Sequence, residues 1–272
     1  MLETAKYAIS EAAKIVMSFY GKEKKTDHKS EVDLVTEVDI ASEKKIVEII
    51  KSKYPNHGFI LEEGEDSFTD SEYVWVIDPI DGTTSFAHDY PMFSISIALF
   101  KSGKPYLGVV YVPYLNELFY AEENKGAYMN DKKIGVSIVD SLNKSLVATG
   151  FPYTRIKSDV DNLKNFSKIA KIAQGLRRSG SAAIDICYVA CGRVDAYWEL
   201  GLKIMDTAAA QIILIEAGGK ITDYQGKNID KDFSKVVATN SVVHDQLLNV
   251  LEGDETWKQL YLLQVKVQEH IP

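Results

Sequence analysis

The sequence predicts a layered protein, with an α+β half over residues 1–142 followed by an α/β half over residues 143–272. Three observations carry this. Two helical stripes precede a pair of short apolar runs, a period-two meander follows them, and from about residue 143 strand-like and helix-like segments alternate. Helices and sheets that are apolar on one face must bury that face against another element, which stacks them in layers.

The elements follow in order. Leu2, Ala5, Ile9, Ala12, Val16 and Phe19 form one helical stripe that ends before Gly21. "EVDLVTEVD" reads as a short strand entering a second helix over about residues 37–53, which stops before Pro55. "GFILEE" and "YVWVID" are short apolar runs ending in acids, the pattern of buried strands with chemistry at their C-terminal ends. Pro79 is expected to end ladder pairing in the second of them. "FSISIALF" alternates with period two, "SGK" turns the chain, "YLGVVYV" returns, and "NELFYA" and "GAYMN" extend the meander. Beyond it come a strand in "SLVATG", a helix over 159–174, "GLRRSG", a helix over 181–191 and the strand "RVDAYWEL". A helix over 207–217, the strands "GGKITD" and "KVVATN", and a helix near 241–251 complete the series. The Leu and Val content of residues 253–272 favours a packed terminal element.

Composition narrows the function classes. Hydrophobic residues make up 46% and charged residues 26% of the 272, the balance of an ordinary globular protein. A net charge of −8 argues against a nucleic-acid backbone as partner. The longest apolar runs, "FSISIALF" and "AAAQIILI", are too short to span a bilayer. "MLETAKYAIS" carries acids and has no apolar core of a signal peptide, so a cytoplasmic location without membrane attachment is expected. Cys187 and Cys191 share a helical face without a nearby histidine, which reads as two buried small residues and not a zinc half-site. The five histidines form no metal-binding or catalytic pattern.

Chemistry concentrates in "DPIDGTTSF", residues 78–86. A buried strand delivers Asp78, Asp81 turns the chain, Gly82 permits close backbone approach, and Thr83 to Ser85 resemble the first turn of a short helix. Such a stretch offers hard oxygen ligands to a cation and N–H donors to a phosphate, the pairing a magnesium-dependent phosphatase needs. An Asp-Gly surface turn, with Asp81 as a helix cap, is the competing reading of these residues alone. Two further features favour a metal. "ILEEGED" places Glu62 and Glu63 at another strand end, and "IMDTAAAQIILIEAGG" places Asp206 at the start of an apolar helix. Carboxylates gathered at such ends repel one another unless a cation intervenes.

With these segments in view the chain resembles the inositol monophosphatase family of lithium-sensitive, magnesium-dependent phosphatases. "WVIDPIDGTTSF" and "MDTAAAQIILIEAGG" are similar to its two signatures, and "KSEVDLVTEVD", "FILEE" and "GSAAIDICYVACGRVDAYWELG" match further segments in order, over about residues 1–251. The resemblance implies an α-β-α-β-α sandwich of the sugar-phosphatase type. It implies that Glu62, Asp78 and the Ile80 carbonyl hold one magnesium ion, and that Asp78, Asp81 and Asp206 hold a second. A third, weaker ion is implied near Glu62. Gly82 and Thr83 would donate N–H groups to the phosphate, while Thr83 and Asp39, with Glu62 nearby, would orient or deprotonate the attacking water. Metal activation of water suits a hydrolysis for which the sequence shows no covalent nucleophile: "RRSGSAA" lacks the G-x-S-x-G elbow.

Two departures stand beside the second signature: Met205 replaces a family tryptophan, and Ala210 a common glycine. Changed packing beside the metal site is expected from them. For the alcohol half of the substrate, the resemblance implies Gly180, Ser181, Ala182 and Glu199, with Asp81 also reaching a hydroxyl. The alternative for Glu199 is a glutamate on an edge strand. Arg177 and Arg178 are candidates for a second phosphate; alternation along a strand would turn only one of them inward, and salt bridging is their competing role. Arg155 and Lys157 are lesser candidates. Inositol 1-phosphate and, as in microbial members, fructose 1,6-bisphosphate are the implied substrates, and a homodimer the implied assembly. The alternatives are a 3′-phosphoadenosine 5′-phosphate phosphatase, or a member with an added non-catalytic scaffold role.

Overall fold

The chain begins with α1 (Leu2–Phe19), whose buried face is Ala5, Ala8, Ile9, Ala12, Ala13 and Val16. A two-stranded ribbon, β1 (Thr26–His28) against β2 (Leu34–Thr36), leads into α2 (Glu37–Lys53). Thr36 caps α2 by accepting from the Val38 N–H, while Asp39 accepts from the Thr36 N–H, so both ends of the first turn are tied. This is a computed structural model describing residues 1–23, 26–28, 34–153, 161–229 and 233–252. Arg155, Lys157 and residues 253–272 lie outside the described residues.

A seven-stranded sheet follows: β3 (Gly58–Leu61), β4 (Tyr73–Asp81), β5 (Ser94–Lys101), β6 (Lys104–Val112), β7 (Glu117–Glu122), β8 (Ala127–Met129) and β9 (Lys132–Lys133), in spatial order β3 to β9. Only the β3–β4 pair is parallel; the others are antiparallel, as the meander predicts. Pro79 does not end β4. The strand continues to Asp81, pairing Asp78 with Ser96 and Asp81 with Ser94, so a bulge at Pro79 absorbs one residue. Proline is tolerated where the ladder is already interrupted.

The short helix α3 (Thr83–Ala87) leaves the end of β4. The second sheet contains β10 (Leu146–Thr149), β11 (Gly175–Arg177), β12 (Ala196–Leu200), β13 (Lys220–Thr222) and β14 (Lys235–Thr239), ordered β11-β10-β12-β14-β13. Among them run α4 (Leu163–Ala170), α5 (Ala182–Ala190), α6 (Ile204–Glu216) and α7 (His244–Glu252). Within the described residues α4 is shorter than the 159–174 expected, because Asn162 adopts a left-handed conformation (φ 68°) immediately before it. β12 lies between β10 and β14, so Glu199 is not on an edge strand.

Five layers result. α1 and α2 cover one face of the seven-stranded sheet, and α5 and α6 fill the space between the sheets. α4 and α7 cover the far face of the smaller sheet. The middle core is built from small residues, including Ala182, Ala183 and Ala208 to Ala210, which let α5 and α6 lie close to both sheets. Met205 is buried there and fills the place beside Asp206 as an unbranched, adaptable side chain.

Candidate active site

Six element ends meet at one cleft of about 770 Å³, its open mouth included. β4 delivers Asp78, Ile80 and Asp81; the turn into α3 adds Gly82 and Thr83; the end of β3 supplies Glu62; and the first turn of α6 supplies Asp206. On the opposite wall stand Gly180, Ser181 and Ala182 at the start of α5, Glu199 near the end of β12, and Arg178. All of these were expected from sequence. Two expected residues are not part of the lining. Asp39 sits behind the cleft, fully buried, where its Oδ1 accepts from the Thr83 hydroxyl at 3.2 Å. Arg177 is the other: its Nη1 donates to the Leu176 carbonyl, while Arg178 lines the cleft with its guanidinium 5.6 Å from the centre of the Phe151 ring.

The carboxylates are oriented by the main chain. Asp78 Oδ1 accepts from the Ile80 N–H at 3.0 Å, and Asp206 Oδ2 from the Lys203 N–H at 2.6 Å. Asp81 Oδ2 accepts from the Ser181 hydroxyl at 2.5 Å and the Ala183 N–H at 2.8 Å, so it caps α5 as well as facing the cleft. Gly82, at φ 94°, makes the left-handed turn that carries the chain from β4 into α3.

Their electrostatics are strained. Burial, then the neighbouring charges of Glu62, Asp81 and Asp206, push the Asp78 carboxyl well above the usual carboxylate range. Burial, then Asp81, takes Asp206 to about 7. Asp81 also rises to about 7 through burial, although the Ser181 and Ala183 donors act against this. Asp39 rises to about 6 by burial, opposed by its bonds to Thr36. Asp78 and Glu62 approach within hydrogen-bonding reach, which two carboxyls can sustain only with a shared proton or a shared cation. Lys203 brings a positive charge to the cleft, with Nζ 4.0 Å from Glu62 Oε1.

Comparison with known proteins gives this cleft its context. The family model for the inositol monophosphatase family matches residues 1–255. The chain belongs to the inositol monophosphatase family. An inositol-1-monophosphatase of Synechocystis sp. is 43% identical, over 96% of this chain and 91% of the relative. The Nus factor SuhB of Pasteurella multocida is 38% identical, over 93% and 96%. The solved inositol monophosphatase of Anabaena (Nostoc) sp. superimposes with a TM-score of 0.85 at 40% identity, covering 92% of this chain and 94% of that one. The five-layer arrangement is the inositol monophosphatase fold, and the protein is a phosphoric monoester hydrolase of a family that acts on small phosphorylated substrates. Among the described residues no helix is long and apolar enough to cross a membrane.

Family membership raises the question of a metal, and the donor set fits one. Oxygen donors alone, oriented by N–H groups and crowded by like charge, suit a hard cation. Among the described residues no three carboxylate, imidazole or thiol groups already surround one point. Magnesium tolerates this, because it retains waters and binds through a few carboxylates and substrate phosphate without an all-protein cage.

The cleft also holds residues that the motifs did not announce. Asp185, in the first turn of α5, is buried in the lining and accepts from Ser179. An acid inside the apolar run "AAIDICYVA" was the available signal. Gly150 gives Glu199 its room: a Cβ on Gly150 would fall 2.0–2.1 Å from the Glu199 carboxylate atoms. Glu199 itself accepts from the Tyr197 hydroxyl, and burial raises its carboxyl to about 7. Gly150→Ala should therefore displace Glu199 and raise KM by roughly tenfold, about 1.4 kcal/mol of lost binding, with a smaller change in kcat. Steady-state kinetics on the variant checks this; an unchanged KM would remove Glu199 from the substrate wall.

Proposed function

We propose that the chain is a magnesium-dependent phosphomonoesterase that hydrolyses inositol 1-phosphate and also accepts fructose 1,6-bisphosphate. The observation that carries this reading is the two-sided cleft, with an acidic floor of Glu62, Asp78, Asp81 and Asp206 facing a wall of Glu199 and Arg178. Two to three magnesium ions would be held there: Glu62, Asp78 and the Ile80 carbonyl would hold one, Asp78, Asp81 and Asp206 another, and a weaker third would lie near Glu62. When bound, they supply Lewis acidity and lower the pKa of a coordinated water.

The chain's own groups do the rest. The N–H groups of Gly82 and Thr83 receive the phosphate at the turn out of β4. Thr83 Oγ1, 3.2 Å from Asp39 Oδ1 and 3.0 Å from the Ile80 carbonyl, orients the attacking water and passes its proton toward Asp39. Burial that raises Asp39 to about 6 makes it a better proton acceptor than an exposed aspartate. Glu199 accepts hydrogen bonds from the hydroxyls of the polyol, and Gly180 to Ala182 contact the same half of the substrate. Arg178, whose charge reaches Glu199, binds the distal phosphate of a bisphosphate.

Phosphate release from inositol 1-phosphate and fructose 1,6-bisphosphate, with and without magnesium, tests the reading. Activity on both should vanish with chelator. Arg178→Ala should cost the bisphosphate roughly tenfold or more in kcat/KM and leave inositol 1-phosphate within about threefold; Arg177→Ala should change neither. Equal losses on both substrates would give Arg178 a structural role. Because one relative is named a Nus factor, a second, non-catalytic role is a further outcome to look for, by asking whether a catalytically dead variant retains a binding partner.

A further inference from the structure

α2 carries three polar side chains with no solvent exposure to speak of: Asp39, Ser42 and Glu43 at 0%, 0% and 4%. Their spacing puts them on one helical face, the face turned toward the cleft-bearing segments. Each reaches a different segment. Asp39 accepts from the Thr83 hydroxyl, and Ser42 Oγ donates to the Pro79 carbonyl at 3.1 Å, between Asp78 and Ile80. Glu43 Oε2 accepts from the N–H groups of Glu62 at 2.9 Å and Glu63 at 3.0 Å, and the Gly64 N–H adds a third donor to the same carboxylate.

From this geometry we infer that Glu43 is a positioning residue for Glu62, fixing the segment 62–64 so that the Glu62 carboxylate meets the cleft in one orientation. The segment has left the sheet by then, since β3 ends at Leu61. A carboxylate is suited to the task because it only accepts, and can take several N–H donors at once. Burying a glutamate on an otherwise amphipathic helix is costly unless its oxygens are satisfied, and Glu43 directs that capacity to the main chain that bears Glu62. The single turn of α2 from Asp39 to Glu43 thereby registers the three pieces of chain that supply Glu62, Asp78, Ile80 and Thr83.

The consequence for metal binding rests on the magnesium-dependent reading above. Glu43→Gln places an NH₂ group among N–H donors and strands at least one of them. In that variant, calorimetric titration with magnesium alone should show affinity weakened roughly 10- to 100-fold, the usual cost of losing a group that orients a ligand. Amide hydrogen exchange over residues 62–64, measured without metal, should accelerate. At saturating magnesium, kcat should stay within about threefold of wild type while the magnesium concentration for half-activity rises with the dissociation constant. Glu43→Asp, one methylene shorter, should reproduce both effects if the glutamine variant does not fold. A lowered Tm with unchanged magnesium affinity and unchanged exchange would overturn the inference and leave Glu43 structural. If wild type binds no magnesium, the metal-dependent reading fails instead, and the exchange measurement alone decides whether Glu43 holds the segment.

Discussion

Asp78→Asn should reduce kcat/KM for inositol 1-phosphate by roughly 10³-fold or more, about 4 kcal/mol of transition-state stabilisation. Asp78 is the residue on which the floor converges: it is 1% exposed, and Glu62, Asp81 and Asp206 all act on its carboxyl. An amide keeps the shape and the bond from the Ile80 N–H, yet removes the charge that two cations would share. The same change should stabilise the metal-free protein. Without a cation the folded state confines several carboxylates at one place, and deleting the central one relieves that repulsion. Melting with chelator should therefore place the variant above wild type, and melting in excess magnesium should reverse the order, because the variant loses the stabilisation that a bound ion gives the native state. An active variant, or one whose Tm still climbs with magnesium as far as wild type's, would exclude Asp78 from the ligand set.

That pair of opposite effects explains why the floor is recognisable in sequence at all. Carboxylates at the ends of "YVWVID" and "FILEE" and at the head of an apolar helix are poor choices for stability and good ones for holding a cation, so they stand out against a background selected for packing. Glu43 does not stand out, because a glutamate in "IASEKKIVEII" reads as part of a solvated helical face until the fold places 62–64 against it. Arg177 and Arg178 could not be separated by alternation either: β11 ends at Arg177, so Arg178 has already left the strand whose pleat would turn the two to opposite faces.

The layers were legible through periodicity, but their boundaries were set by long-range contacts. α4 begins only after Asn162 because that residue is held in its left-handed conformation by distant partners. The Trp198 Nε1–H donates to its Oδ1 at 2.7 Å, and its Nδ2 donates to Thr149 Oγ1 and the Gly150 carbonyl. The local signal in "DNLKNF" is modest: Asp161 accepts from the Leu163 N–H at 2.9 Å and Asn162 is a residue type that tolerates the left-handed region, but no proline or glycine interrupts the helical pattern there. α6 likewise starts at Ile204, ahead of the 207 expected, because Asp206 serves as its third residue and caps Lys203 from inside the helix. Asp81 carries the same lesson further, since its partners on α5 are about a hundred residues away in sequence.

His244 should make the protein sensitive to mild acid. Its imidazole is 1% exposed and bridges two strands, with Nε2 2.9 Å from Thr222 Oγ1 and Nδ1 3.0 Å from Thr239 Oγ1. Thr222 spends its hydroxyl proton on the Asp223 carbonyl, so Nε2 must be the donor and Nδ1 the acceptor. Burial, followed by the Lys220 ammonium, lowers its pKa to about 4 from an ordinary 6.5. Above pH 6.5 the ring is neutral folded or unfolded and contributes nothing to the pH dependence. As pH falls from about 6.5 to about 4 the unfolded chain takes up the proton and the folded one does not, which removes about 1.4 kcal/mol per pH unit and about 3 kcal/mol over the window. His244→Gln should be less stable than wild type at pH 7 by about 1–2 kcal/mol, and the gap should close or reverse by pH 4. Urea midpoints of both proteins across that range check the difference directly, with the other titrating carboxyls common to the two. Parallel acid profiles would mean that the ring takes up its proton while folded, by turning the Thr239 hydroxyl away and donating from Nδ1 in its place.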